Sequence, residues 1–129
     1  MDDLYVEMCR KSPVQKEWIP KIGDVTNVGV IVYIHHILNR IRFYDKDCKR
    51  LRSFFAKNVI WLPRQEDWQS ILCEKGVNTE KFLDWMTEVD SGNTVYLGHG
   101  WTIAWCLFVH REVYGLVWDW TENEWVKRD

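Results

Sequence analysis

The sequence is short of anything that announces a chemistry. Its four cysteines, Cys9, Cys48, Cys73 and Cys106, are scattered. No two fall at the C-x-x-C spacing that a zinc knuckle or dithiol redox site uses. No P-loop, G-x-G-x-x-G, H-E-x-x-H or G-x-S-x-G run occurs, so the local motifs for phosphate cradles, dinucleotides, zinc proteolysis and serine nucleophiles are missing. The longest apolar run, Ile103 to Val109, has seven residues, against about 20 for a membrane-crossing helix. No membrane association is expected, and neither cofactor nor metal is called for. The opening residues, Met1-Asp2-Asp3-Leu4-Tyr5, are acidic and carry no apolar export segment. A cytoplasmic location with reduced thiols is the expectation. With only three prolines and no Pro/Gly/Ser-rich tract, nothing marks a long linker.

What the chain does have is aromatic surface. Nine Trp, five Tyr and five Phe stand among 129 residues, a length typical of one domain with its own core. Tryptophan brings a large apolar area and an N–H that needs an acceptor when buried. An aromatic core and an aromatic binding face are both open on composition. Net charge is −2, but unevenly placed. Residues 1–62 hold 11 Lys+Arg against 7 Asp+Glu, and residues 63–129 hold 6 against 12. The halves could attract each other or face different partners.

The pattern predicts an α+β fold. Residues 1–16 are a short amphipathic helix, with Leu4, Tyr5, Met8 and Cys9 at helical spacing, or a tail. Residues 17–62 are β-rich. Strands are expected over Val28–Leu38, Arg40–Tyr44, Arg50–Phe55 and Val59–Leu62, with a 3₁₀ turn at 56–58. Short strands joined this way suggest a small antiparallel SH3-like barrel or, failing closure, a meander. Residues 63–129 are expected to be helical. One helix starts after Pro63, with Glu66 and Asp67 in its first turn. A second follows Asn78, and 93–97 is a short extended piece. A third runs Trp101–Tyr114, apolar all round and stopped by Gly115. A hairpin closes the chain, with Trp120 expected opposite Trp125. Leu62-Pro63 is the seam of what reads as one compact domain.

Three clusters are candidate sites. Centring the turn of the second hairpin on Lys46 sets Arg42 opposite Arg50 and Arg40 opposite Arg52. Lys46, Lys49 and Lys57 extend that face. Like charges placed together are unfavourable unless an anion lies over them, and Arg binds phosphate or carboxylate in bidentate fashion. The alternative is that the arginines fan into water or pair with the acidic half. Trp118, Trp120 and Trp125 could be a stacking platform for bases or sugars, or a cover for the third helix. Cys106 and His110 are four apart on a helix, a spacing that suits two metal ligands, and Cys73 or Cys106 with His99 or His110 could make a nucleophile–base pair. Spacing selects none of these, and no catalytic residue is assigned. His35 and His36 are adjacent in a strand and point to opposite faces. Gly98-His99-Gly100 is a glycine-flanked turn into the third helix.

Two stretches carry a resemblance. Residues 60–72, from Ile60-Trp61-Leu62-Pro63 through Trp68 to Leu72, and residues 104–115, followed by Val117-Trp118-Asp119 and Glu124-Trp125-Val126, resemble the helical half of small uncharacterised proteins encoded by phages and prophages of Gram-positive bacteria. The resemblance implies a phage accessory protein in the bacterial host cell. It would be non-enzymatic and act by contact with a host or phage protein or with nucleic acid. Its motifs are structural and assign neither a partner nor an oligomeric state. A nucleic-acid-binding small barrel, an enzyme with an unrecognised site and an oligomerising structural protein are the alternatives.

Overall fold

The computed structural model describes residues 3–38, 40–44, 51–88 and 100–128. The chain divides into two compact units, Met1–Pro63 and Arg64–Asp129.

In the first unit, α1 (Asp3–Arg10) is helical and amphipathic. It buries Tyr5, Met8 and Cys9 and holds Glu7 among Arg10 and Lys11 on its wet side. Ser12 accepts the Val14 N–H at the start of the single-turn α2 (Val14–Glu17). Four antiparallel strands follow in the order β1 (Val25–Thr26), β2 (Gly29–His35), β3 (Arg40–Tyr44) and β4 (Leu51–Phe55). Thr26 makes the first turn tight: its hydroxyl donates to the Gly29 carbonyl and accepts from the Val28 and Gly29 N–H groups. The 3₁₀ turn lies at Ala56–Asn58, as expected.

The segment expected to be a fourth, short strand, Val59–Leu62, makes one isolated bridge, Thr26 to Trp61. Gln15 explains why it needs no second strand. Its amide donates to the Trp61 carbonyl at 2.8 Å and accepts the Trp61 N–H at 2.9 Å. One side chain thus satisfies both backbone groups on the edge that another strand would have used. On the other edge Leu62 N–H reaches Val25 O and Asn27 N–H reaches Ile60 O. The sheet is a four-stranded meander with this short return; among the described residues it is not a closed barrel.

Alternation along β2 and β3 buries Ile31, Ile41 and Phe43 with Val59 on one face. Ile34, Phe54, Val28 and Trp18 pack around them. Trp18 also stacks on Trp61 at 5.8 Å, and its indole donates to Asp24.

The second unit holds α3 (Gln65–Glu74), α4 (Lys81–Glu88), α5 (Trp101–Val109), and a hairpin of β5 (Leu116–Asp119) and β6 (Glu124–Lys127). Asp67 accepts the Arg64 N–H at the start of α3, and Gly76, at φ 73°, releases the chain after it. Helix α5 is buried from Ile103 through Val109, as its unbroken apolar run requires. It continues into one wider π turn, His110–Tyr114, ended by left-handed Gly115. Its core is aromatic: Phe82 stacks on Trp105 at 3.8 Å and meets Phe108 edge-on, and Trp85 tilts onto Phe108.

The hairpin register differs from expectation by two residues. Trp118, not Trp120, lies opposite Trp125. Asp119 organises the four-residue loop, accepting from Thr121 and Glu122 N–H, while Asn123 takes φ 55°. Asn tolerates that left-handed geometry. The expected extended piece at 93–97 lies outside the described residues.

Candidate functional site

The arginine site depends on how β3 and β4 align, and the expected alignment is corrected. The observed pairs are Arg40 with Phe55, Ile41 with Phe54, Arg42 with Ser53, Phe43 with Arg52 and Tyr44 with Leu51. Relative to a turn centred on Lys46, the strands have slipped by three residues. The apolar face decides this: the observed register sets Phe54 against the buried Phe43, stacked at 5.3 Å, and leaves Leu51 exposed. Burying the larger aromatic instead of Leu51 is the more favourable choice. An odd-numbered slip also moves β4 side chains to the other face. Arg52 therefore shares the side of Phe43 and sits over Phe54 at 5.3 Å. Arg40 and Arg42 stay together on the outer face, and the face of four arginines is not formed. Lys46, Lys49 and Arg50 lie outside the described residues.

What replaces that face is two cross-strand rows. In one, Tyr33, Arg42 and Ser53 lie side by side across β2, β3 and β4. In the next, His35, Arg40 and Phe55 do the same. The guanidinium of Arg42 lies 5.7 Å from the Tyr33 ring centre, and that of Arg40 lies 4.6 Å from Phe55. Lys57, from the 3₁₀ turn, reaches within 6.0 Å of the same Phe55 ring. Arg40 is further fixed by donating to the Ser53 hydroxyl at 3.0 Å. Tyr33 and Phe55 are 49% and 43% exposed. Ion pairs join Glu7 to Arg10 and Lys11, whereas Arg40, Arg42 and Lys57 have no carboxylate partner among the described residues.

Cations held over aromatic rings are attracted by the ring quadrupole and lose less freedom on meeting a ligand. The rows recur every two residues, roughly 7 Å along the strand. The face presents positive charge and flat apolar surface alternately. Sequence reading found the two arginines and missed Tyr33 and Phe55. Their period-two spacing was visible, but which strand each ring faced was not.

No protein-family model, curated protein or solved structure matches the chain. The face is therefore interpreted from its own geometry.

The tryptophan platform is also corrected. Trp118 is buried, and Trp125 is half-buried, stacked on His110 at 3.8 Å and edge-on to Trp118. Trp120 is the most exposed of the three, at 38%. A cover over the end of α5 removes more apolar area from water than a free platform would.

His110 is wholly buried. Its Nδ1 lies 2.6 Å from the Cys106 carbonyl oxygen. A carbonyl only accepts, so Nδ1 carries the proton. Burial drives the imidazole pKa down to about 4, partly opposed by that bond to Cys106. The Cys106 sulfur is 3.7 Å from Nδ1. This pair is a packed helix-end feature inside the aromatic cluster. Cys73 is exposed instead, on the wall of an open groove of about 720 Å³ that includes Gln69, Phe82, Leu83, Trp101 and Trp105 but not His110. The structure does not bring Cys73 and His110 to one place, and His99 lies outside the described residues. Burial pushes the Cys9 thiol up to about 12, against a hydrogen bond from Tyr5. Among the described residues no three His, Cys, Asp or Glu side chains converge as metal ligands.

Proposed function

We propose that this protein is a non-catalytic binding module that holds single-stranded nucleic acid on the outer face of its four-stranded sheet. One observation carries the reading: Arg40 and Arg42 lie side by side, each over an exposed aromatic ring, with Lys57 beside them and no described carboxylate to neutralise them. Phosphates supply the anion these cations lack. Bases supply flat faces for the rings and guanidinium planes, as on other sheet-borne single-strand sites. The return of the chain through Trp61 to β1 supports a small, partly open barrel of SH3-like connectivity as the scaffold. In this reading the module is a phage or prophage accessory protein working in the cytoplasm of a bacterial host.

The test is fluorescence anisotropy of a labelled oligothymidylate over a salt series. Binding through phosphates weakens linearly in log–log form, by about 0.7 per phosphate neutralised on a single strand. Arg42→Ala, at an exposed position, is expected to weaken binding and lower that slope by about 0.7. Arg40→Gln should do the same, and Arg52→Ala, on the opposite side, should not. Equal salt slopes in wild type and both outer-face variants would refute the reading.

A further inference from the structure

The hairpin of β2 and β3 ends in an unusual tip. Ile37 is 91% exposed and Leu38 56% exposed, two aliphatic side chains in the turn just beyond the row of His35, Arg40 and Phe55. They are not on a slack loop: the Leu38 N–H donates to His35 Nδ1 at 3.2 Å, so a side chain of the strand closes the turn. His35 belongs to the same cross-strand row as Arg40 and Phe55. The apolar tip therefore follows the last cationic–aromatic row directly in the chain, with one residue, His36, between His35 and Ile37.

A ligand that satisfies both parts must offer an anionic backbone beside a narrow apolar slot. A nucleic acid at the point where a duplex opens does so. Its single strand carries phosphates and free bases, and its last stacked step is a slot that aliphatic wedges enter in other complexes. Burying two aliphatic side chains is comparable with the cost of parting one base step. An anionic lipid surface could also accept the tip. It would leave Phe55, in the row next to the tip, and Tyr33, in the row behind it, with no flat partner.

We propose that Ile37 and Leu38 form a wedge that enters the terminal base step of a duplex while the sheet face holds the adjoining single strand, so that the protein binds single-strand/duplex junctions and frays them. The proposal rests on the single-strand reading of the sheet face.

The experiment uses the full chain and a forked DNA carrying 2-aminopurine at the first paired position. Wild type is expected to bind the fork about tenfold more tightly than blunt duplex and to raise 2-aminopurine fluorescence as that base unstacks. Ile37→Ser with Leu38→Ser, in an exposed turn, should retain affinity and salt dependence on the tail alone but lose the fluorescence rise. Ile37→Val with Leu38→Met should restore it. A fluorescence rise of equal size in the serine variant overturns the wedge, as does wild-type binding to the tail with no rise. No binding to the tail at all refutes the sheet-face reading and the wedge with it. Tip-dependent binding to phosphatidylserine vesicles without fork binding overturns the proposal in favour of a lipid surface.

Discussion

The buried His110 ties the stability of the second unit to pH, with a sign and size that follow from its surroundings. The ring is sealed between Trp125, stacked at 3.8 Å, and Trp68, edge-on at 5.4 Å, with Tyr114 alongside. Protonating it would bury a charge among aromatic faces, so its folded pKa falls from 6.5 to about 4. Because the folded value is the lower one, the unfolded chain binds the extra proton first as pH drops. The stability associated with neutral His110 is complete above about pH 6.5 and is lost as pH falls toward 4. At 1.36 kcal/mol per pH unit, the gap corresponds to about 3 kcal/mol. His110→Phe keeps a ring against Trp125 and removes the titrating nitrogen. Urea unfolding followed by tryptophan fluorescence, at half-unit steps from pH 4 to 7.5, should show the variant gaining about 3 kcal/mol on wild type across that span. Carboxylates titrate in both proteins and drop out of the difference. Parallel stability–pH curves would refute the argument, because they would mean that His110 titrates alike in the folded and unfolded chains.

Other expectations follow from single contacts. Gln15→Ala strips both partners from the Trp61 backbone and should cost about 2–3 kcal/mol in denaturant unfolding of the full chain; a loss below about 0.5 kcal/mol would show that water replaces the amide. Phe82→Ala should cost about 3–5 kcal/mol and collapse the near-ultraviolet circular dichroism, since Phe82 contacts Trp85, Trp101, Trp105 and Phe108. In a Cys48→Ser background, Cys73 should react with a thiol-exchange reagent in the native state, while buried Cys9 and Cys106 should react only on unfolding; three fast thiols would contradict their burial.

The elements themselves were largely legible. Period-two alternation marked β3 to the residue, the apolar run Ile103–Val109 marked a helix buried on all sides, and Gly115 marked its end. The 3₁₀ turn at 56–58 was also readable. These are local matters of pattern, propensity and capping. Errors began where one element had to be aligned with another. Arg42 and Arg50 looked paired because a turn centre was assumed at Lys46, and Trp120 looked paired with Trp125 for the same reason. The strand expected at 59–62 is reduced to one bridge with the two-residue β1, and the Trp61 backbone groups on its other edge are met by Gln15, 46 residues earlier in the chain.

By itself, the sequence determined the strand Arg40–Tyr44, the helix that starts after Pro63 and the buried helix from Trp101. Each of these follows from interactions within a few residues or from side-chain hydrophobicity. The tertiary structure alone decided which cations meet which rings. Register depends on the burial of Phe54 against Phe43 across two strands, and a three-residue slip costs nothing that local pattern can register. That slip placed Arg52 on the other side and left Arg40 and Arg42 over Phe55 and Tyr33.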